Sequence, residues 1–140
     1  MSAEKWPKIT VVGAGAVGGY FGGMLARAGA PVVFIGRAAF VDAVKRDGLQ
    51  LDTVQFQEKV KVTASADLAA ARDAEIVLFC VKTTDTTSTA RGLAPVLAKN
   101  ALVVSMQNGV DNAEQIRAVS RLHALAAAVY VAASFHRQVL

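Results

Sequence analysis

The sequence has 140 residues, one domain's worth of polypeptide, with no room for two ordinary domains. Hydrophobic residues make up 54% and charged residues 19%, which is enough apolar material for a core and excludes a disordered chain. Fifteen Lys and Arg against eleven Asp and Glu leave a net charge of +4 with no run of five like charges. That balance suits an anionic ligand and argues against a nucleic-acid platform.

The start, Met1-Ser2-Ala3-Glu4-Lys5-Trp6-Pro7-Lys8, has no apolar signal core. No stretch approaches ~18 uninterrupted apolar residues, so no membrane span is expected. Ile9-Thr10-Val11-Val12 reads as a first buried strand that runs into a glycine loop. Ala16 to Ala28 reads as a helix stopped by Gly29, and Pro31 to Ile35 as a second strand with proline at its first residue. Phe40 to Asp47 is a short helix closed by Gly48. From Leu49 to Thr63 the apolar residues fall close to a period of two, which predicts a short antiparallel pair where a helix would usually return.

Asp67 to Ala71 is a helical turn with an Asp cap, and Glu75 to Val81 a third buried strand. Thr89 to Lys99 is a helix interrupted by Pro95, Leu102 to Met106 a fourth strand, Asn112 to Val119 a helix, and Ala124 to Ala133 a fifth strand. Strands alternating with helices predict an α/β fold, doubly wound and mainly parallel, with helices on both faces of the sheet. A mean hydropathy of +0.39 fits such a sheet, and equally a piece whose partner surface is missing. The single cysteine, Cys80, allows no internal disulfide and favours a reducing, cytoplasmic setting. Its place in an apolar run marks it as a small core filler rather than a reactive thiol.

Gly13-Ala14-Gly15-Ala16-Val17-Gly18 matches G-x-G-x-x-G, between a predicted strand and a predicted helix. Gly13 permits the tight turn, Gly15 lets a pyrophosphate approach the backbone, and Gly18 lets the helix pack close to the sheet. The exposed amides and the positive end of the helix dipole would then hold the phosphates. A turn that is glycine-rich for packing alone is the competing explanation, with Gly19, Gly22 and Gly23 also present.

The second strand bears on which nucleotide is bound. An NAD site usually carries an acid there, against the ribose 2′-hydroxyl. Here the strand ends Phe34-Ile35-Gly36-Arg37, and Asp42 comes only beyond the turn. Arg37 offers a guanidinium fork suited to a 2′-phosphate, so NADP(H) is preferred over NAD(H); the alternative is a solvated surface arginine.

Three more segments stand at predicted carboxyl ends of strands, where ligands bind in open α/β sheets: Val81-Lys82-Thr83, Gln107-Asn108-Gly109, and Ala128-Val129-Tyr130-Val131-Ala132-Ala133. With the glycine loop and Gly36-Arg37, this set resembles the ketopantoate reductases (2-dehydropantoate 2-reductases), over residues 8 to about 134. The resemblance implies NADPH-dependent reduction of the small keto acid 2-dehydropantoate to pantoate, on the way to pantothenate and coenzyme A. It implies that Gly13 to Gly18 cradle the cofactor and that Arg37 and Lys82 hold its 2′-phosphate end. It places Asn108 beside nicotinamide and substrate, and Ala133 against the cofactor through its backbone. Taken as residues alone, Lys82 also fits a lysine snorkelling from a strand end, and Asn108 a left-handed turn residue.

Thr83 to Thr87 read as a capping cluster, Asp111 as a helix N-terminal acid, and His123 as a structural histidine. No metal-ligand spacing and no G-x-S-x-G is present. The resemblance implies a second, helical domain that carries the general-acid lysine, a glutamate and the homodimer contact. These 140 residues are therefore expected to be the cofactor half of the enzyme, inactive alone, with the sequence truncated or its frame disrupted after Ala133. A related 2-keto or hydroxy acid dehydrogenase, and a non-catalytic dinucleotide sensor or remnant, are the alternatives.

Overall fold

Ile9–Val12 is rich in β-branched residues, and in a computed structural model of the chain it forms strand β1 with all four residues buried. The structure describes residues 5–107 and 111–128. Helix α1 (Ala16–Arg27) follows, then β2 (Val32–Ile35) and α2 (Ala38–Asp47). A hairpin of β3 (Leu49–Asp52) and β4 (Gln57–Val60) leads to β5 (Thr63–Ser65) and a 3-10 turn at Leu68–Ala71. The chain continues through β6 (Ile76–Phe79), a 3-10 turn at Thr83–Asp85, α3 (Thr86–Leu93), β7 (Leu102–Ser105), α4 (Asn112–Ser120) and β8 (His123–Ala126).

Six strands form one parallel sheet in the order β5-β2-β1-β6-β7-β8. Counting only these strands in chain order, β1, β2, β5, β6, β7 and β8 are first to sixth. The spatial order is thus 3-2-1-4-5-6, the doubly wound arrangement with its switch point at β1. Alternate residues serve opposite faces. Ile9, Val11, Val32, Phe34 and Leu78 pack with Val41 and Val44 of α2 and with Leu49, Leu51 and Val60 of the hairpin. Val12, Ile35, Val77, Phe79 and Val103 pack with Ala90 and Leu93 of α3 and with Ala113 and Ile116 of α4. Both faces are covered, which explains strands that read as unbroken apolar runs.

The predicted antiparallel pair is present, with Leu49 opposite Val60 and Asp52 opposite Gln57. It ends before Thr63, however. Thr63–Ser65 instead joins the edge of the main sheet as β5, parallel to β2. The helix expected over Thr89 to Lys99 begins earlier, at Thr86, and ends at Leu93, two residues before Pro95. Asp67 caps its turn as expected, its carboxylate accepting from the Ala69 amide at 2.9 Å. The last predicted strand starts at His123 and ends at Ala126; its remainder beyond residue 128 lies outside the described residues.

The strand ends are in register. Ser65 pairs with Ile35, Ile35 with Val12, Val12 with Phe79, Phe79 with Ser105 and Ser105 with Ala126. One straight carboxyl edge results, and whatever follows these residues emerges along it.

Candidate functional site

Gly13, Gly36, Cys80 and Met106 each stand one residue beyond that edge, so the β1–α1 loop is flanked by the exits of β2 and β6. Gly13 has φ +95, a conformation that side chains rarely adopt. A Cβ there would lie 2.6 Å from the Cys80 carbonyl carbon and the Val81 nitrogen. The Gly13 amide donates to the Ile35 carbonyl at 3.0 Å, and the Cys80 amide donates to Val12 at 2.8 Å. The loop is therefore held to both neighbouring strands.

Gly18 is buried, and a Cβ there would collide with the carbonyl oxygen of Gly13 and approach Val11 and the Cys80 side chain. Gly15 is the opposite case. It is exposed, and a Cβ on it would meet nothing within 4 Å. It occupies the N-cap of α1 with no side-chain cap bond, and the first turn carries no acid. Its amide edge and the helix's first N–H groups face outward at the positive end of the dipole. One glycine is needed for backbone conformation, one for helix packing, and one leaves room for a ligand. Packing alone accounts for the first two and leaves Gly15 without a reason. Ala14, Ala16 and Val17 are only partly buried, as part of the same outward-facing segment.

Two cations stand beside this loop. Arg37, two residues past Ile35, is exposed at the N-cap of α2. It has no ion pair to any described residue. Lys82, three residues past Phe79, is exposed and precedes the Thr83–Asp85 turn, whose last amide donates to the Lys82 carbonyl at 2.8 Å. Acids near the β2 exit are exposed or occupied: Asp42 points from α2 into solvent and Asp67 caps its own turn. The fork at residue 37 is therefore not neutralised by an adjacent carboxylate.

Cys80 makes the floor of the loop. Burial pushes its thiol from the ordinary 9.0 up to about 12, so it stays protonated and inert at neutral pH. Asp85 stands at the N-cap of α3 but makes no capping bond, so the threonine cluster does not cap the helix through it. Thr86 of that cluster is fully buried, held by Gln107 at 2.7 Å. The sequence offers Gln107 only as part of a motif; its contacts cross from the exit of β7 to the exit of β6, which no local pattern encodes. Asp111 occupies the N-cap position of α4, and His123 is exposed at the start of β8. Asn108, Gly109 and Ala133 lie outside the described residues.

Among the described residues no group of three or more His, Cys, Asp or Glu is placed to hold a metal. No helix there is long and apolar enough to cross a membrane. Two concavities of about 300 and 500 Å³ lie at the opposite, amino end of the strands, lined by residues such as Val32 and Lys61, and Leu102 and His123. Neither presents a helix N-terminus, so the open amide edge at Gly15 is the stronger anion site.

Comparison with known proteins agrees with this fold. Residues 9–138 match the family model described as ketopantoate reductase PanE/ApbA. A 2-dehydropantoate 2-reductase of Pyrococcus abyssi is 38% identical over 109 residues, covering 78% of this chain and 35% of that protein. The crystal structure of a PanE/ApbA family ketopantoate reductase from Ralstonia eutropha JMP134 is 54% identical with a TM-score of 0.87, covering 89% of this chain and 42% of that one. The ternary structure of a D-mandelate dehydrogenase with NADH and anilino(oxo)acetate superposes with a TM-score of 0.71 at 25% identity, covering 80% of this chain and 37% of that one. The chain thus spans well under half the length of these relatives.

Proposed function

Because the chain belongs to the ketopantoate reductase family, we propose that it forms the NADP(H)-binding part of a cytoplasmic 2-dehydropantoate 2-reductase that serves pantothenate synthesis. The observation that carries this reading is the single line of strand ends, which sets the open Gly15 amides between Arg37 and Lys82. Gly13 to Gly18 cradle the pyrophosphate on backbone N–H groups, and the two cations grip the 2′-phosphate. The residues fit such a group: of the three fingerprint glycines, Gly15 alone leaves open space where a side chain would stand, and it is the one a phosphate must approach.

The bound cofactor supplies a hydride to the 2-keto carbon. This chain's residues orient it; Asn108 contacts nicotinamide and substrate, and Ala133 contacts the cofactor through its main chain. The proton comes from a lysine, with a supporting glutamate, in a further helical domain that also forms the homodimer contact. A missing general acid alone costs ~10²–10⁴ in rate, so this chain by itself binds dinucleotide and turns over little keto acid.

Titrating NADPH and NADH against the chain tests the reading. Arg37→Ala should weaken NADPH about ten- to a hundredfold, the worth of a charge-assisted contact, and leave NADH nearly unchanged. Equal affinities in the unmodified chain would remove the 2′-phosphate assignment. Likeness to the D-mandelate dehydrogenase favours, as a second reading, a related dehydrogenase with another 2-keto acid substrate. Relative kcat/KM across 2-keto acids, measured on a protein that carries both halves, separates the two.

A further inference from the structure

Gln107 is half-buried, two residues past the end of β7, and its side chain crosses to the exit of β6. Its Nε2 donates to the Val81 carbonyl at 2.9 Å and to Thr86 Oγ1 at 2.7 Å. Its Oε1 accepts from the Ser105 hydroxyl at 3.0 Å. The orientation is chemically determined: a carbonyl only accepts, so the amide nitrogen must face Val81, and the oxygen then meets the hydroxyl. Ser105 and Thr86 are buried at 3% and 0% exposure, so this network lies under the edge and away from water.

One amide nitrogen therefore holds both ends of a short segment. Val81 is its first residue and Thr86 its last. Between them lie Lys82 and the Thr83–Asp85 turn, all exposed. Lys82 itself is a flexible cation with four carbons of freedom. The clamp on residues 81 and 86 holds its backbone origin beside the glycine loop, together with the Asp85 amide that donates to the Lys82 carbonyl.

We propose that Gln107 is a positioning residue that sets the preference for NADPH over NADH by fixing Lys82. The inference rests on the dinucleotide reading above and adds a determinant that never touches the nucleotide. Gln107→Leu keeps the side chain's bulk and removes its donors and acceptor. It is expected to weaken NADPH about tenfold, the worth of one or two lost hydrogen bonds, with NADH changed less than about twofold.

Isothermal titration of both nucleotides into the full chain, with Lys82→Ala, Gln107→Leu and the double variant, is the test. If Gln107 acts through Lys82, Gln107→Leu costs no further NADPH affinity once Lys82 is gone. An equal loss for both nucleotides, or a loss that persists in the Lys82→Ala background, would overturn the proposal in favour of a general structural role. Should Gln107→Leu fail to fold, Thr86→Val decides. It removes one arm of the clamp, and an unchanged NADPH-to-NADH ratio in that variant counts against the proposal. A shift of the ratio toward NADH supports it. An unmodified chain that binds neither nucleotide would sink the dinucleotide reading itself, a result distinct from any of these.

Discussion

Gly13 and Gly15 are neighbours in one motif, yet the structure asks different things of them. At Gly13 both the left-handed φ and the Cys80–Val81 backbone exclude a side chain. Gly13→Ala is expected to cost at least ~1–3 kcal/mol of stability, read as a lower melting temperature. At Gly15 a side chain has room, and its extended backbone suits any residue. Gly15→Val should keep the melting temperature within the small cost of a poorer cap, about 1 kcal/mol or less. It should nevertheless lose about tenfold or more in dinucleotide affinity, ~1.4 kcal/mol of binding. A variant that loses stability and binding together would count against this division of labour. The sequence made this motif legible because strand, loop and helix are contiguous. Gln107 was not legible in the same way, because its partners lie 26 and 21 residues away.

At the scale of elements, α1 is packed through glycine: its buried residues are Gly18, Gly22 and Gly23. The sheet lies against one part of this face and the hairpin against another. What an added methyl would meet decides its cost. At Gly18 it meets the carbonyl oxygen of Gly13, which cannot move without moving the loop. At Gly23 it meets the terminal carbons of Leu51 and Leu49, which can rotate aside. Gly23→Ala also gains ~0.5–1 kcal/mol of helix propensity, which offsets the crowding. Chemical denaturation should therefore find Gly18→Ala destabilised by ~1–3 kcal/mol and Gly23→Ala within about 1 kcal/mol of the parent. Hairpin and α1 were both readable from periodicity and stop signals. β5 was not, because three residues show no period, and its strand character comes from pairing with β2. The start of α3 was also not legible, since a buried threonine at its first turn depends on a side chain from beyond the end of β7.

For the whole molecule, alternation of strands and helices made the doubly wound parallel sheet legible, but its six-strand order and the registered carboxyl edge needed the structure. That edge also carries a pH dependence. The Cys80 thiol is pushed up to about 12 by burial, so the folded chain holds its proton more tightly than the unfolded one. The folded state then binds more protons between pH 9 and 12, and stability falls as pH rises through that window. Below it the contribution is fully present. Urea melts across the range should show a steeper alkaline loss for the parent than for Cys80→Ala; parallel profiles would contradict it.

The sheet also divides the molecule optically. Its one tryptophan, Trp6, packs with the layer that contains α1, α2 and the hairpin, and the layer of α3 and α4 has no indole. Emission therefore watches half of the interior, whereas circular dichroism watches all of the helices. Whether the two signals vanish together on heating tells whether six shared strands are enough to make both halves melt as one.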